Sequence, residues 1–166
     1  MQAEAISEKI RRAQQVSQIN GWTIFGFAAL CALVAFILKD IYGFLVGFAV
    51  SFSGLMELRG HFTLKQRMRS AINWLVFSQL YLMVVLWLYC LNNIFRFDHS
   101  DLWARFSPDF KNLIIAINPD IYLVEEMLRL SYYVVYVSVI VAVLLYQGGL
   151  CLYYLTRKKY LVAASD

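Results

Sequence analysis

Two apolar runs share the stretch WTIFGFAALCALVAFILKDIYGFLVGFAVSFSGLM, residues 22–56, and only a Lys-Asp pair separates them. Trp22–Leu38 and Ile41–Met56 hold no charged residue. Lys39 and Asp40 would be costly at the centre of a hydrocarbon layer, and the pair is too short for a loop that leaves the membrane surface. The stretch therefore predicts a tight hairpin of two membrane-spanning helices.

Two further apolar runs complete a set of four predicted spans. Ala71–Leu91 and Leu130–Leu155 are uncharged, and both have the roughly 17–25 mainly apolar residues that a helix needs to cross a bilayer. Hydrophobic residues make up 61% of the 166 residues, and charged residues only 16%. A chain this small cannot bury so much apolar surface in its own interior. We expect an all-α polytopic membrane protein with four transmembrane helices.

Small residues recur at helical spacing in the second run. Gly43, Gly47 and Ser51 follow one another at steps of four, and Gly54 lies one turn further on. Because small side chains let helix backbones approach closely in lipid, we expect this stripe to pack against the first helix of the hairpin. Packing between subunits and the lining of a pore are the two alternatives.

The Lys and Arg residues are distributed unevenly. Ten of the fifteen lie in the N-terminal tail, the second loop and the C-terminal tail, which share one side of the membrane if there are four spans. Positively charged loops are retained in the cytoplasm, so we expect both termini to be cytoplasmic, in the inner membrane of a bacterium. Anionic headgroups are the expected contacts of Arg59, Lys65, Arg67, Arg69, Arg157, Lys158 and Lys159.

Residues 1–20 are predicted to form an amphipathic helix on the cytoplasmic interface. Apolar side chains recur there at steps of three and four, with charged residues on the opposite face. Asn20-Gly21 is expected to break this helix before the first span. A frayed polar tail and a partner-binding surface are the alternatives.

The external segment, residues 92–129, is too apolar for a disordered connection. Ser107-Pro108-Asp109 has the pattern of a helix start and predicts a helix over 108–117. A second helix is expected to begin at Pro119 and to continue into the fourth span. Residues 156–166 are predicted to form a cytoplasmic tail.

The loop predicted between the second and third spans lies within MELRGHFTLKQRMRS, residues 56–70. Gly60 is expected to end the second helix as its C-terminal cap. Thr63 and Gln66 have the spacing of a capping box, which predicts that the third helix starts near Leu64. His61 is left in a short link without an assigned role.

Ionisable residues are absent from all four predicted spans, which argues against a proton-coupled transporter. The uncharged polar residues Asn73, Gln79 and Gln147 are expected to join helices by hydrogen bonds or, alternatively, to line a pore. Asp98-His99-Ser100-Asp101 is interpreted as a solvated turn, because a metal site would need further ligands from elsewhere. We expect no metal, no cofactor and no nucleic acid.

These observations favour a non-enzymatic protein. The catalytic motifs G-x-S-x-G and H-E-x-x-H do not occur in the sequence. We expect a small integral membrane scaffold or accessory subunit that forms a homo-oligomer or joins a larger membrane complex. One alternative is a homo-oligomeric channel with a pore lined by uncharged polar and small residues. Another is a lipid enzyme that acts at the membrane surface through residues such as Glu57, His61 or Asp98.

Overall fold

The structure is a computed structural model that describes residues 2–68, 70–96, 106–117 and 120–163, and it is helical throughout these ranges apart from short turns. Its helices are α1 (Gln2–Ile37), α2 (Ile41–Lys65), α3 (Ala71–Phe95), α4 (Pro108–Ile117) and α5 (Ile121–Ala163). Helices α1, α2, α3 and α5 are long and apolar enough to cross a membrane. The predicted all-helical fold with four candidate spans is therefore confirmed, and the protein is a membrane protein with four candidate transmembrane helices.

The turn between α1 and α2 is built from the Lys39-Asp40 pair. Lys39 adopts a left-handed conformation with φ 59°, and its N–H donates to the carbonyl of Phe36 at 3.1 Å. The Asp40 N–H donates to the carbonyl of Ala35 at 2.9 Å, which completes a Schellman motif at the end of α1. Asp40 also starts α2, because its Oδ1 accepts the N–H of Gly43 at 3.0 Å.

Helix α1 continues through Asn20-Gly21, so the predicted break at this pair is wrong. The described glycines have no left-handed backbone angles, and Gly21 is buried against Leu58. A Cβ atom at Gly21 would lie 3.0 Å from the Leu58 side chain. The glycine therefore lets α2 come close to a continuous helix.

Helix α2 extends past its predicted end, and Gly60 lies inside it instead of capping it. A Cβ atom at Gly60 would lie 2.6 Å from the Leu75 side chain, so this glycine allows α3 to approach. The Thr63 hydroxyl donates back to the carbonyls of Arg59 and Gly60, which places it in the helix interior. The predicted capping box at Thr63 and Gln66 is therefore wrong as well.

The end of α2 repeats the geometry of the first turn. Arg67 has φ 55°, and its N–H donates to the carbonyl of Leu64 at 3.0 Å. The Met68 N–H donates to the carbonyl of Thr63 at 3.1 Å, which gives a second Schellman motif. Helix α3 then begins at Ala71, several residues later than the sequence predicts.

The small residues of α2 face α1 at two close approaches. A Cβ atom at Gly47 would lie 2.9 Å from the backbone nitrogen of Ala32. At Gly54 it would lie 2.6 Å from the backbone nitrogen of Phe25. Because backbone atoms cannot move aside as a flexible side chain can, these two glycines fix how closely the two helices pack.

The chain divides into two compact units. The first comprises Met1–Trp87 and Val143–Asp166, and the second comprises Leu88–Ala142. The core of the first unit joins the early part of α1 to the end of α2, the start of α3 and the end of α5. Its buried members are Ile10, Ala13, Leu64, Ala71, Ile72, Leu75 and Tyr154. Part of the apolar stripe of residues 1–20 is thus used for packing within the chain.

The second unit contains the helix predicted over 108–117, which is present with these bounds as α4. Ser107 caps it, because its Oγ accepts the N–H of Phe110 at 3.3 Å. Helix α5 begins at Ile121, and the Asp120 carboxylate accepts the N–H of Tyr122 at 3.1 Å. The predicted start at Pro119 and residues 102–105 of the external segment lie outside the described residues.

The close approach at Gly54 generates a prediction about stability. Gly54→Ala should lower the free energy of unfolding by about 1–3 kcal/mol, because the added methyl group overlaps the backbone of Phe25. Gly26→Ala is the matched control, since a Cβ atom there meets nothing within 4 Å. It should leave stability unchanged or raise it slightly. Denaturant unfolding in detergent micelles, followed by circular dichroism, measures both, and equal effects would contradict the packing described.

Candidate functional site

The centre of the candidate site is the carboxyl group of Glu57. Glu57 lies two turns before the end of α2, and only 1% of its surface is exposed. It belongs to the candidate span Ile41–Lys65. Glu57 directly follows Met56, the predicted end of the second span, and it is part of α2 because the helix continues past that point.

Two other helices supply hydrogen-bond donors to this carboxyl group. The Asn20 side-chain nitrogen on α1 donates to Glu57 Oε2 at 2.7 Å. The Tyr154 hydroxyl on α5 donates to Glu57 Oε1 at 2.8 Å, and the Tyr154 side chain is fully buried. Both carboxyl oxygens are thus engaged, each by a different helix.

A further set of polar side chains surrounds these two bonds. The Tyr146 hydroxyl on α5 donates to Asn20 Oδ1 at 3.1 Å, which orients the amide so that its nitrogen faces Glu57. Gln79 on α3 is another polar neighbour of the Glu57 carboxyl group. Its nitrogen donates to Ser78 Oγ at 3.3 Å, and its Oε1 is buried without a partner among the described residues. Glu57, Asn20, Tyr154, Tyr146 and Gln79 are called the Glu57 centre below.

The Glu57 centre contains no ion pair. Within the described ranges, no Lys, Arg or His lies at ion-pair distance from Glu57. A buried carboxyl group is costly unless hydrogen bonds compensate for the lost water. The donors on α1 and α5 provide that compensation, so the centre joins helices that are far apart in sequence. Glu57, Asn20, Tyr154 and Gln79 are buried, whereas Tyr146 is more than half exposed.

The predicted polar residues of the spans take different positions. Gln79 and Gln147 are buried in the first unit, whereas Asn73 is exposed. The Oε1 atom of Gln147 and the Oγ atom of Ser51 are buried without a partner among the described residues. The structure therefore brings Gln79 into the Glu57 centre and does not bring Asn73 there.

The cations expected at headgroups are mostly exposed, and three of them lie over aromatic rings, including Lys159, whose Nζ is 5.1 Å from the ring centre of Tyr160. Arg59 lies 4.6 Å from the ring centre of Trp74, and Arg157 lies 4.8 Å from that of Tyr153. Lys65, Arg67, Lys158 and Lys159 are exposed, and Arg69 lies outside the described residues. Cation–aromatic pairs of this kind are common where side chains meet a membrane surface.

His61 contacts α1 through one ring nitrogen. Its Nδ1 lies 3.0 Å from the carbonyl oxygen of Gln14, which only accepts, so Nδ1 carries the proton in this bond. Ser17 Oγ is 3.4 Å from the same nitrogen, but the hydroxyl donates to Gln14 and Ser17 is fully buried. Ser17 and His61 therefore do not have the geometry of a nucleophile and its base.

The described residues offer no cluster of metal ligands. No group of three or more His, Cys, Asp or Glu side chains there could hold a metal ion. The cluster Asp98-His99-Ser100-Asp101 lies outside these residues. Of the described cysteines, Cys90 and Cys151 are buried, Cys31 is exposed, and none is in a disulfide bond.

Comparisons with protein-family models, with curated proteins and with solved structures give no match for this chain. Its function must therefore be inferred from its own residues, of which the Glu57 centre is the most constrained set.

The sequence gives only a weak signal for the Glu57 centre. Asn20, Glu57 and Tyr154 lie in segments separated by tens of residues, and each has another plausible role. The one available signal is the apolar periodicity on both sides of Glu57, from Leu55 to Leu64, which is compatible with a longer α2.

Removing one donor tests how much the Glu57 centre stabilises the fold. Tyr154→Phe should lower the free energy of unfolding by about 1–3 kcal/mol, because a buried carboxyl oxygen loses its partner. Tyr153→Phe is the matched control, since the Tyr153 hydroxyl makes no hydrogen bond within the described residues. Chemical unfolding in micelles of one detergent compares the two variants, and a similar loss in both would contradict a role for the Tyr154 hydroxyl.

Proposed function

We propose that the protein is a non-enzymatic integral membrane scaffold or accessory subunit, which assembles with copies of itself or with other membrane proteins. The observation that carries this proposal is the full engagement of Glu57. Its two oxygens bond to donors on α1 and α5, and 1% of the residue is exposed. In this proposal the Glu57 side chain serves to hold helices together.

The outer faces of the helices support assembly. On α5, the buried residues Gln147, Cys151 and Tyr154 form one stripe, while Leu145 and Leu152 are about two-thirds exposed. Apolar faces of this kind contact lipid or other transmembrane helices. The α5 face that carries Leu145 and Leu152 is the surface that we propose for assembly.

The proposed location is the inner membrane of a bacterium, with both termini in the cytoplasm. The excess of Lys and Arg in the tails and the second loop supports this orientation. A contact within the first unit agrees with it, because Lys9 Nζ on α1 donates to the Tyr160 hydroxyl on α5 at 3.1 Å. In this proposal residues 1–20 meet the cytoplasmic interface, and the ion pair between Glu8 and Arg12 lies in water.

Native mass spectrometry of the protein extracted from its own membranes in mild detergent tests the proposal. We expect a defined oligomer or a stoichiometric complex. Leu145→Ala with Leu152→Ala should weaken that assembly, because the two side chains lie on the proposed face of α5. Leu30→Ala with Leu45→Ala is the matched control, since these leucines are similarly exposed on α1 and α2.

A strictly monomeric protein without a co-purifying partner would contradict the proposal. The channel hypothesis predicts a different result, namely ion flux in liposomes that is lost in Gln79→Leu. Flux of that kind from a reconstituted protein would favour a channel over a scaffold.

A further inference from the structure

A polar cavity of about 300 Å³ lies between α1 and the last turn of α2. Arg11, Gln15 and Gln18 line it from α1, and His61 and Lys65 line it from α2. Trp22 forms part of its wall on the side of the first span. The cavity is separate from the Glu57 centre, since it shares no lining residue with it.

The charge of this cavity is positive and uncompensated. Arg11 and Lys65 are exposed, and within the described residues neither forms an ion pair or a hydrogen bond. None of the lining residues is acidic. The neighbouring Arg12 differs, because it pairs with Glu8. Two free cations thus converge on one small space, where they attract an anion.

The remaining polar groups of the cavity are suited to an oxyanion. The bond from His61 Nδ1 to the Gln14 carbonyl holds the imidazole ring and leaves Nε2 without a partner among the described residues. The amides of Gln15 and Gln18 also form no hydrogen bond there, so their N–H groups are available. A phosphate group accepts several hydrogen bonds at once and prefers such a mixture of cations and N–H donors.

The position of the cavity indicates where the phosphate comes from. The candidate span of α2 ends at Lys65, and Trp22 is more than half exposed at the start of the apolar part of α1. Trp side chains with one apolar and one polar side collect at the level of lipid headgroups. We propose that this cavity binds the phosphate of an anionic phospholipid, with Arg11 and Lys65 as the counter-charges.

The test is a lipid titration on the full chain in mild detergent, followed by native mass spectrometry. The probes are palmitoyl-oleoyl phosphatidylglycerol and, as the zwitterionic control, the phosphatidylcholine with the same acyl chains. Arg11→Gln with Lys65→Gln should weaken phosphatidylglycerol binding about 25-fold, because each cation contributes roughly a factor of five. Phosphatidylcholine should bind more weakly than phosphatidylglycerol and respond little to the substitutions.

Arg12→Gln with Arg67→Gln is the matched control, since it removes the same charge from neighbouring positions that do not line the cavity. An equal loss in both double variants would overturn the site, because it would indicate attraction by surface charge alone. Arg11→Lys with Lys65→Arg keeps both charges and should keep lipid binding. This variant separates the loss of a site from misfolding. Weakening of binding as large as in the glutamine double variant would overturn the proposal. Displacement of the lipid by millimolar inorganic phosphate would also overturn it, since the source would then be a soluble phosphate.

Discussion

A carboxyl group in an apolar interior needs hydrogen-bond donors, and this need fixes how the helices of the first unit meet. Glu57 receives one donor from α1 and one from α5, and each bond requires its helix to be at the correct rotation and height. Tyr146 then orients the Asn20 amide. Helix α5 therefore supplies one donor to Glu57 directly and positions the other. Apolar packing alone tolerates sliding between helices in lipid, whereas this set of directed bonds does not. The Glu57 centre therefore fixes the rotation and height of these helices relative to one another, in addition to contributing to the free energy of unfolding.

Close backbone approach is the second condition that this arrangement needs. Asn20 reaches Glu57 because α1 and α2 lie near each other, and the glycines at 21, 47 and 54 remove the side chains that would keep them apart. Gly60 has the same effect toward α3 through Leu75. Glycine is usually associated with turns, but the described glycines have no left-handed backbone angles. Gly21, Gly47, Gly54 and Gly60 instead act as contact surfaces between helices.

Much of the architecture could be predicted because it depends on local sequence. Four apolar runs predict four long helices, Lys39-Asp40 predicts a hairpin, and Ser107 predicts the start of α4. The errors at Asn20-Gly21 and Gly60 share one cause, since a glycine that ends a helix and one that admits a neighbouring helix look alike in sequence. The two cases differ only in whether a side chain from another helix packs against the glycine, as Leu58 does at Gly21 and Leu75 does at Gly60. The Glu57 centre was missed for a related reason, because its members are polar residues that meet only after the helices have packed.

Both turns of the first unit end a helix on a cation in the left-handed conformation. Lys39 and Arg67 have φ angles of 59° and 55°, which cost an L-residue about 1–2 kcal/mol and glycine almost nothing. A glycine at either position would also remove a positive charge from the end of a membrane span. A charged side chain and a backbone free of this cost cannot be had together at these two positions. A glycine at either turn would therefore relieve the backbone and leave that end of the span without its charge.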